Sequence, residues 1–119
     1  MLSTINYKTF DVLLVDFPFS DLAIAKKRPA LVLSHIPATK HYGLIILAMI
    51  SSNIEAKSIT GDILIKHWQE AGLLYPSRLR IAKLVTADST LVLKKLGQLE
   101  KADRTTVQKA FRKVFSVLE

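Results

Sequence analysis

The sequence predicts a mainly β (α+β) fold: a small, strongly curved barrel of short strands, with one amphipathic helix packed over it at the C-terminus. Two observations carry this. The first two thirds consist of short apolar runs, rich in β-branched residues and broken by proline, glycine and polar clusters. Only the end changes period: in KADRTTVQKAFRKVFSVLE, Val107, Ala110, Phe111, Val114, Phe115 and Leu118 recur at three- and four-residue intervals. Many short strands and a single covering helix suit a small barrel better than a layered α/β sheet. With 119 residues and no linker or repeat, the chain reads as one domain, 1–119.

The elements follow in order. FDVLLVDF (10–17) is a strand that ends at Pro18, which cannot donate to a ladder. Residues 18–27 read as a loop, and PALVLS (29–34) as the second strand, started by Pro29 and halted near Pro37. YGLIILAMIS (42–51) is almost wholly apolar, so it is expected to be covered on both faces. SNIEAKS is a polar loop, and GDILI (61–65) a fourth strand behind a glycine. KHWQEAGLL (66–74) switches to a helical turn that Gly72 can close. In RLRIAKLVTAD (78–88), Leu79, Ile81 and Lys83 alternate with Arg78, Arg80 and Ala82, a strand period of two. TLVLKKLGQL (90–99) fits strand or helix, with Gly97 lowering the helical odds. The last helix runs from about 101 to 118, its phenylalanines in the core and Lys109, Arg112 and Lys113 on the far side.

Composition narrows the function. There is no cysteine, which excludes disulfides and thiolate metal sites. The N-terminus lacks the charged and apolar regions of a signal peptide, and the longest apolar run, 42–50, is too short to span a bilayer. A cytoplasmic protein is expected. Seventeen basic residues face ten acidic ones, a net charge of +7, which draws polyanions to the surface. Nucleic acid is the first candidate partner and an acidic protein the second.

Most familiar catalytic machinery is missing. The four glycines are far apart, so no glycine-rich phosphate loop exists. His35, His41 and His67 show no ligand spacing, and Asp11, Asp16 and Asp21 lie five apart across a strand and loop, so no metal or other cofactor is expected. What remains is cations with hydroxyls nearby, and RNA cleavage needs little more. The substrate's 2′-hydroxyl is its own nucleophile, a guanidinium fits phosphate oxygens bidentately, and a serine hydroxyl can hold a non-bridging oxygen. The candidates are Arg28, Ser51 or Ser52, and a cation from the 78–83 stretch.

FDVLLVDFPFSD, KKRPALVLS, AMISS, GDILI and AGLLYPSRLRIAKLVTAD, in this order and spacing, resemble the MazF/PemK family, the toxins of type II toxin–antitoxin systems. The likeness runs from about Phe10 to the final helix, and its most specific piece is RPALVLS behind a strand and loop. The resemblance implies an SH3-like barrel of the MazF/PemK/CcdB type, acting as a homodimer. It also implies metal-independent, sequence-selective cleavage of single-stranded RNA to a cyclic phosphate and a 5′-hydroxyl. A cognate antitoxin with an acidic, flexible tail would occupy the RNA groove.

By the same resemblance, Arg28 is the arginine of the RP motif and stabilises the transition-state phosphate. Ser51 stands where threonine is usual, Lys83 where a polar residue is frequent, and DLAIAKK replaces a glycine-rich loop. Lys26, Lys27, Ser52, Arg78 and Arg80 are the expected RNA contacts. The bland alternatives are a solvated Arg28, a Ser51 bonded to its own backbone, and a Lys83 snorkelling at a sheet edge. Trp68 is expected to cover the core rather than stack a base. Two rival functions share the fold: a toxin that inhibits a protein target such as DNA gyrase, and a plain nucleic-acid-binding barrel.

Overall fold

The computed structural model describes residues 6–17, 26–37 and 43–116. Six strands form one antiparallel sheet: β1 (Asp11–Phe17), β2 (Lys26–Ile36), β3 (Leu44–Ser51), β4 (Asp62–Leu64), β5 (Arg78–Asp88) and β6 (Val92–Gln98). The order across the sheet is β4-β5-β3-β2-β1-β6, and the helix α1 (Lys101–Val114) follows. The class is the expected one, but among the described residues the ladder does not close into a full barrel, because β4 and β6 are left as edges.

The apolar runs become strands because both faces of the central sheet are covered. Along β3, Ile45 and Leu47 pack with Leu13, Val15, Ala30 and Val32 on one face. Ala48 and Ile50 pack with Val12, Leu31, Leu79, Ile81 and the helix residue Val107 on the other. Each fully buried leucine or isoleucine contributes about 1.5–3 kcal/mol.

Several local expectations shift. β2 begins at Lys26 rather than Pro29, with Pro29 paired to Leu14 of β1. The ladder to β3 starts only at Ala30, so the proline sits at the end of that ladder, where a missing N–H costs least. The 90–99 stretch resolves into a 3-10 turn, Ser89–Leu91, followed by β6. The expected turn at 66–72 forms and closes at Gly72, which has φ +85°; a Cβ there would lie 2.1 Å from the Leu96 carbonyl oxygen. Trp68 packs against the core, as anticipated.

In α1, Val107 is buried, whereas Phe111 is 39% exposed and reaches Phe115 at a ring separation of 4.6 Å rather than entering the core. The helix packs on β4 and β5 and is also tied by polar contacts. Buried Asp103 accepts the backbone N–H groups of Lys66 and His67 at 3.1 and 2.9 Å. Residues 18–25, which include Asp21, and also His41 and Leu118 lie outside the described residues. Among the described residues no helix is long and apolar enough to cross a membrane.

Candidate functional site

At one end of the sheet, where β2 starts and β3 stops, lies a cleft of about 820 Å³. β2 brings Lys26, Lys27 and Arg28 to it, and the end of β3 brings Ser51, Ser52 and Asn53. Ladder geometry sets the central pair. The β2–β3 ladder ends at the pair Ala30–Met49, and Arg28 and Ser51 each lie two residues beyond it on their own strands, where both line the cleft. Arg28 is exposed at its tip, and its strand is fixed to β1 through the Val15 pairing. Among the described residues it has no ion-pair partner, so its guanidinium is available to an anion.

Ser51 is half-buried and its Oγ accepts the N–H of Asn53 at 3.1 Å. That bond is the local strand-ending role serine commonly takes. It uses an acceptor lone pair and leaves the hydroxyl proton free to donate to a phosphate oxygen.

The opposite wall comes from residues that sequence reasoning did not select. Lys94 and Leu96 of β6 line it, as do Leu73, Leu74, Tyr75 and Ser77 from the segment before β5. Lys94 pairs across the ladder with Leu14, a neighbour 80 residues away in sequence that no local pattern reveals. Next to it, Lys95 points away and binds buried Asp11 at 3.2 Å. The described lining therefore holds four cations (Lys26, Lys27, Arg28 and Lys94) and no carboxylate. A site with that balance favours anions strongly.

The three remaining candidates lie elsewhere. Arg78 is buried rather than displayed to a ligand, with 3% of its surface exposed. Its Nη1 donates to the Ala56 carbonyl at 2.9 Å and lies 3.4 Å from Asp62. Arg80 Nε binds the other oxygen of Asp62 at 3.1 Å. The strand period placed both on a solvated face; Asp62 of β4, paired with Arg80 in the ladder, draws them inward. Burial pushes the Asp62 carboxyl up, but the Ile59 N–H, the Arg80 guanidinium and the charge of Arg78 outweigh it, holding the group below the ordinary carboxylate range.

Lys83 does not line the cleft. The β3 pairing jumps from Arg80 to Leu84, so residues 81–83 form a bulge that breaks the period of two. Ile81 stays buried, while Ala82, Lys83 and Leu84 are all exposed. Among the described residues, no three His, Asp or Glu side chains stand close enough to hold a metal ion.

Comparison with known proteins agrees with this architecture. The model of the PemK-like, MazF-like toxins of type II toxin–antitoxin systems matches residues 8–115. Solved structures share the fold at low identity. A mycobacterial endoribonuclease in complex with its cognate antitoxin superposes with a TM-score of 0.68 at 12% identity, over 93% of this chain and 96% of that one. The Mycobacterium tuberculosis toxin MazF-mt6 gives 0.67 at 17% identity, over 89% and 96%. A second mycobacterial endoribonuclease gives 0.66 at 10%, over 96% of each chain. Comparison with curated protein sequences gave no match.

Proposed function

Since the chain belongs to the PemK-like, MazF-like toxins of type II toxin–antitoxin systems, a family known as endoribonucleases, we propose that it cleaves single-stranded RNA without a metal. The observation that carries this reading is the juxtaposition of Arg28 and Ser51 in a cleft whose described lining has four cations and no carboxylate. The 2′-oxygen of the substrate attacks the adjacent phosphorus and loses its proton. The bond from phosphorus to the 5′-oxygen breaks, that oxygen gains a proton, and a 2′,3′-cyclic phosphate remains. Negative charge builds on the non-bridging oxygens in between. The Arg28 fork stabilises that charge, the Ser51 hydroxyl donates to one oxygen, and Lys94 holds the flanking backbone from the opposite wall. Lys26, Lys27 and Ser52 bind the strand on its way in. Arg78 and Arg80 support the site by fixing its scaffold.

The partners follow from the same cleft. An antitoxin with an acidic segment would compete with RNA for these cations, and the solved complex of a structural neighbour with its cognate antitoxin supports such a partner. A homodimer in the cytoplasm is the working form in this reading.

The test uses purified protein and a long single-stranded RNA in excess chelator. Cuts with cyclic phosphate ends are expected, and Arg28→Ala should slow them by about a hundredfold or more. Retained RNA binding with no cleavage under any condition would leave only a nucleic-acid-binding barrel. A chain that neither binds nor cuts RNA would point to a protein target.

A further inference from the structure

The cleft has a second character that its cations do not explain. Leu74 and Tyr75, adjacent in sequence, are 82% and 64% exposed, the two highest values among the large hydrophobic residues described. Both line the cleft. Scattered exposed apolar residues are ordinary on loops, but this pair stands on a fixed base. On one side Gly72 is pressed against the Leu96 carbonyl, and Leu73 is buried in the core. On the other, buried Ser77 donates its hydroxyl to the Tyr75 carbonyl at 2.7 Å, and its own carbonyl accepts the Ile65 N–H at 3.0 Å. Pro76 removes one more backbone freedom between these anchors. The chain thus holds two apolar side chains in solvent at a defined place. Among the described residues no ring stacks on Tyr75 and no cation covers it.

We propose that Leu74 and Tyr75 form a seat for one unpaired nucleobase of the bound strand, next to the phosphate held by Arg28. The proposal rests on the RNA-cleaving reading and extends it to base recognition. Single-stranded RNA alternates an anion with a flat, weakly polar ring. The cleft presents the complementary pair, cations on the β2 and β6 walls and an aromatic face on the 73–77 segment. Stacking on an aromatic face contributes about 1–3 kcal/mol per base. A rigid seat gains most of it, because little side-chain and no loop ordering is required on binding. The seat also fixes where the adjoining phosphodiester falls relative to Arg28 and Ser51, which ties the place of cleavage to the base bound.

The experiment uses an oligonucleotide spanning a mapped cut site, made uncleavable by 2′-deoxy substitution at the cut nucleotide. The fluorescent base 2-aminopurine is moved through its positions one at a time. One position is expected to be quenched on binding. Tyr75→Ala should abolish that quenching and weaken binding roughly 5- to 150-fold, and Tyr75→Phe and Tyr75→Trp should restore both. Removing the base at that position should weaken the wild type equally and Tyr75→Ala hardly at all. The side chain is exposed, so unchanged thermal unfolding of the variants is the control for folding.

Wild-type quenching and affinity in Tyr75→Ala would overturn the seat. So would a variant that binds RNA normally but loses an acidic peptide, which would make the pair a protein contact. Cleavage that depends on Arg28 and not on Tyr75 would remove the base seat alone. A wild type without RNA binding would remove the ribonuclease reading as well.

Discussion

Replacing Asp62 by asparagine is expected to destabilise the protein by about 3–5 kcal/mol, the usual effect of breaking a buried ion pair by removing one partner. The structure gives the reason. The Asp62 and Arg78 side chains are only 2% and 4% exposed, so neither charge can turn to water when the other is lost. Arg78 would keep a single bond, to the Ala56 carbonyl, and its Nε already has no hydrogen-bond partner. Arg80, with 16% of its side chain exposed, can recover some hydration and accounts for less of the loss. Urea unfolding followed by tryptophan fluorescence reads the change, since Trp68 packs against the affected core. A midpoint lowered by roughly 2 M corresponds to this loss at ordinary denaturant slopes. The double variant Asp62→Leu with Arg78→Met should be more stable than Asp62→Asn alone, because no bare charge stays buried. A loss below about 1 kcal/mol for Asp62→Asn, or a double variant worse than the single one, would show that the buried pair does not carry this stability.

Two further outcomes follow. Asp62 and Asp11 are both held below the ordinary carboxylate range: burial raises each, but hydrogen bonds and cations outweigh it, with Lys8, Gln98 and Lys95 acting on Asp11. A depressed folded-state value stabilises above the unfolded value near 4, and that stability is lost as pH falls through the folded value. Thermal midpoints should therefore hold steady above about pH 5 and drop below 4, with a shallower acid drop in Asp11→Asn. Lys83→Ala should leave RNA cleavage within about twofold of the wild type, as expected for an exposed cation screened by salt. A loss approaching that of Arg28→Ala would bring Lys83 back into the reaction.

The sequence made β1, β2 and β4 visible because each apolar run was bounded by a residue with a mechanical reason to stop it, Pro18, Pro37 or Gly61, whereas 90–99 had no such mark and stayed open between strand and helix. It showed the core face of α1 through Val107, yet the same stripe assigned Phe111 to an interior that does not extend that far. Arg28 could be named because it abuts Pro29 ahead of an apolar run, and Ser51 because it is the hydroxyl residue that closes one. Their meeting in one cleft, however, follows from the antiparallel pairing of β2 with β3, which ends at Ala30–Met49 just short of both. The failures are non-local. Arg78 and Arg80 look like surface cations until Asp62 arrives from another strand. Lys83 follows the period of two until a bulge cancels it. Lys94 reaches the cleft only after β6 folds back beside β1, and Tyr75 only through anchors on either side of it, Gly72 against Leu96 and Ser77 against Ile65. Tyr75-Pro76-Ser77 did carry a local signal, an aromatic residue at the tip of a stiff turn, whose meaning needs the wall it faces.

The open sheet has one more consequence, for solubility. An unpaired strand edge is a template on which another chain can add, and a basic toxin that extended its sheet would clump in the cell that makes it. Here β4 offers an edge of only three residues. β6 offers seven, but carries Lys94 and Lys95 on opposite faces near its centre and is bent by two register shifts against β1. A second molecule docking edge to edge would bring lysine against lysine in either orientation near that centre. In the proposed reading Lys94 would serve two ends at once: the charge offered to the RNA backbone would also keep neighbouring copies from zipping onto the rim.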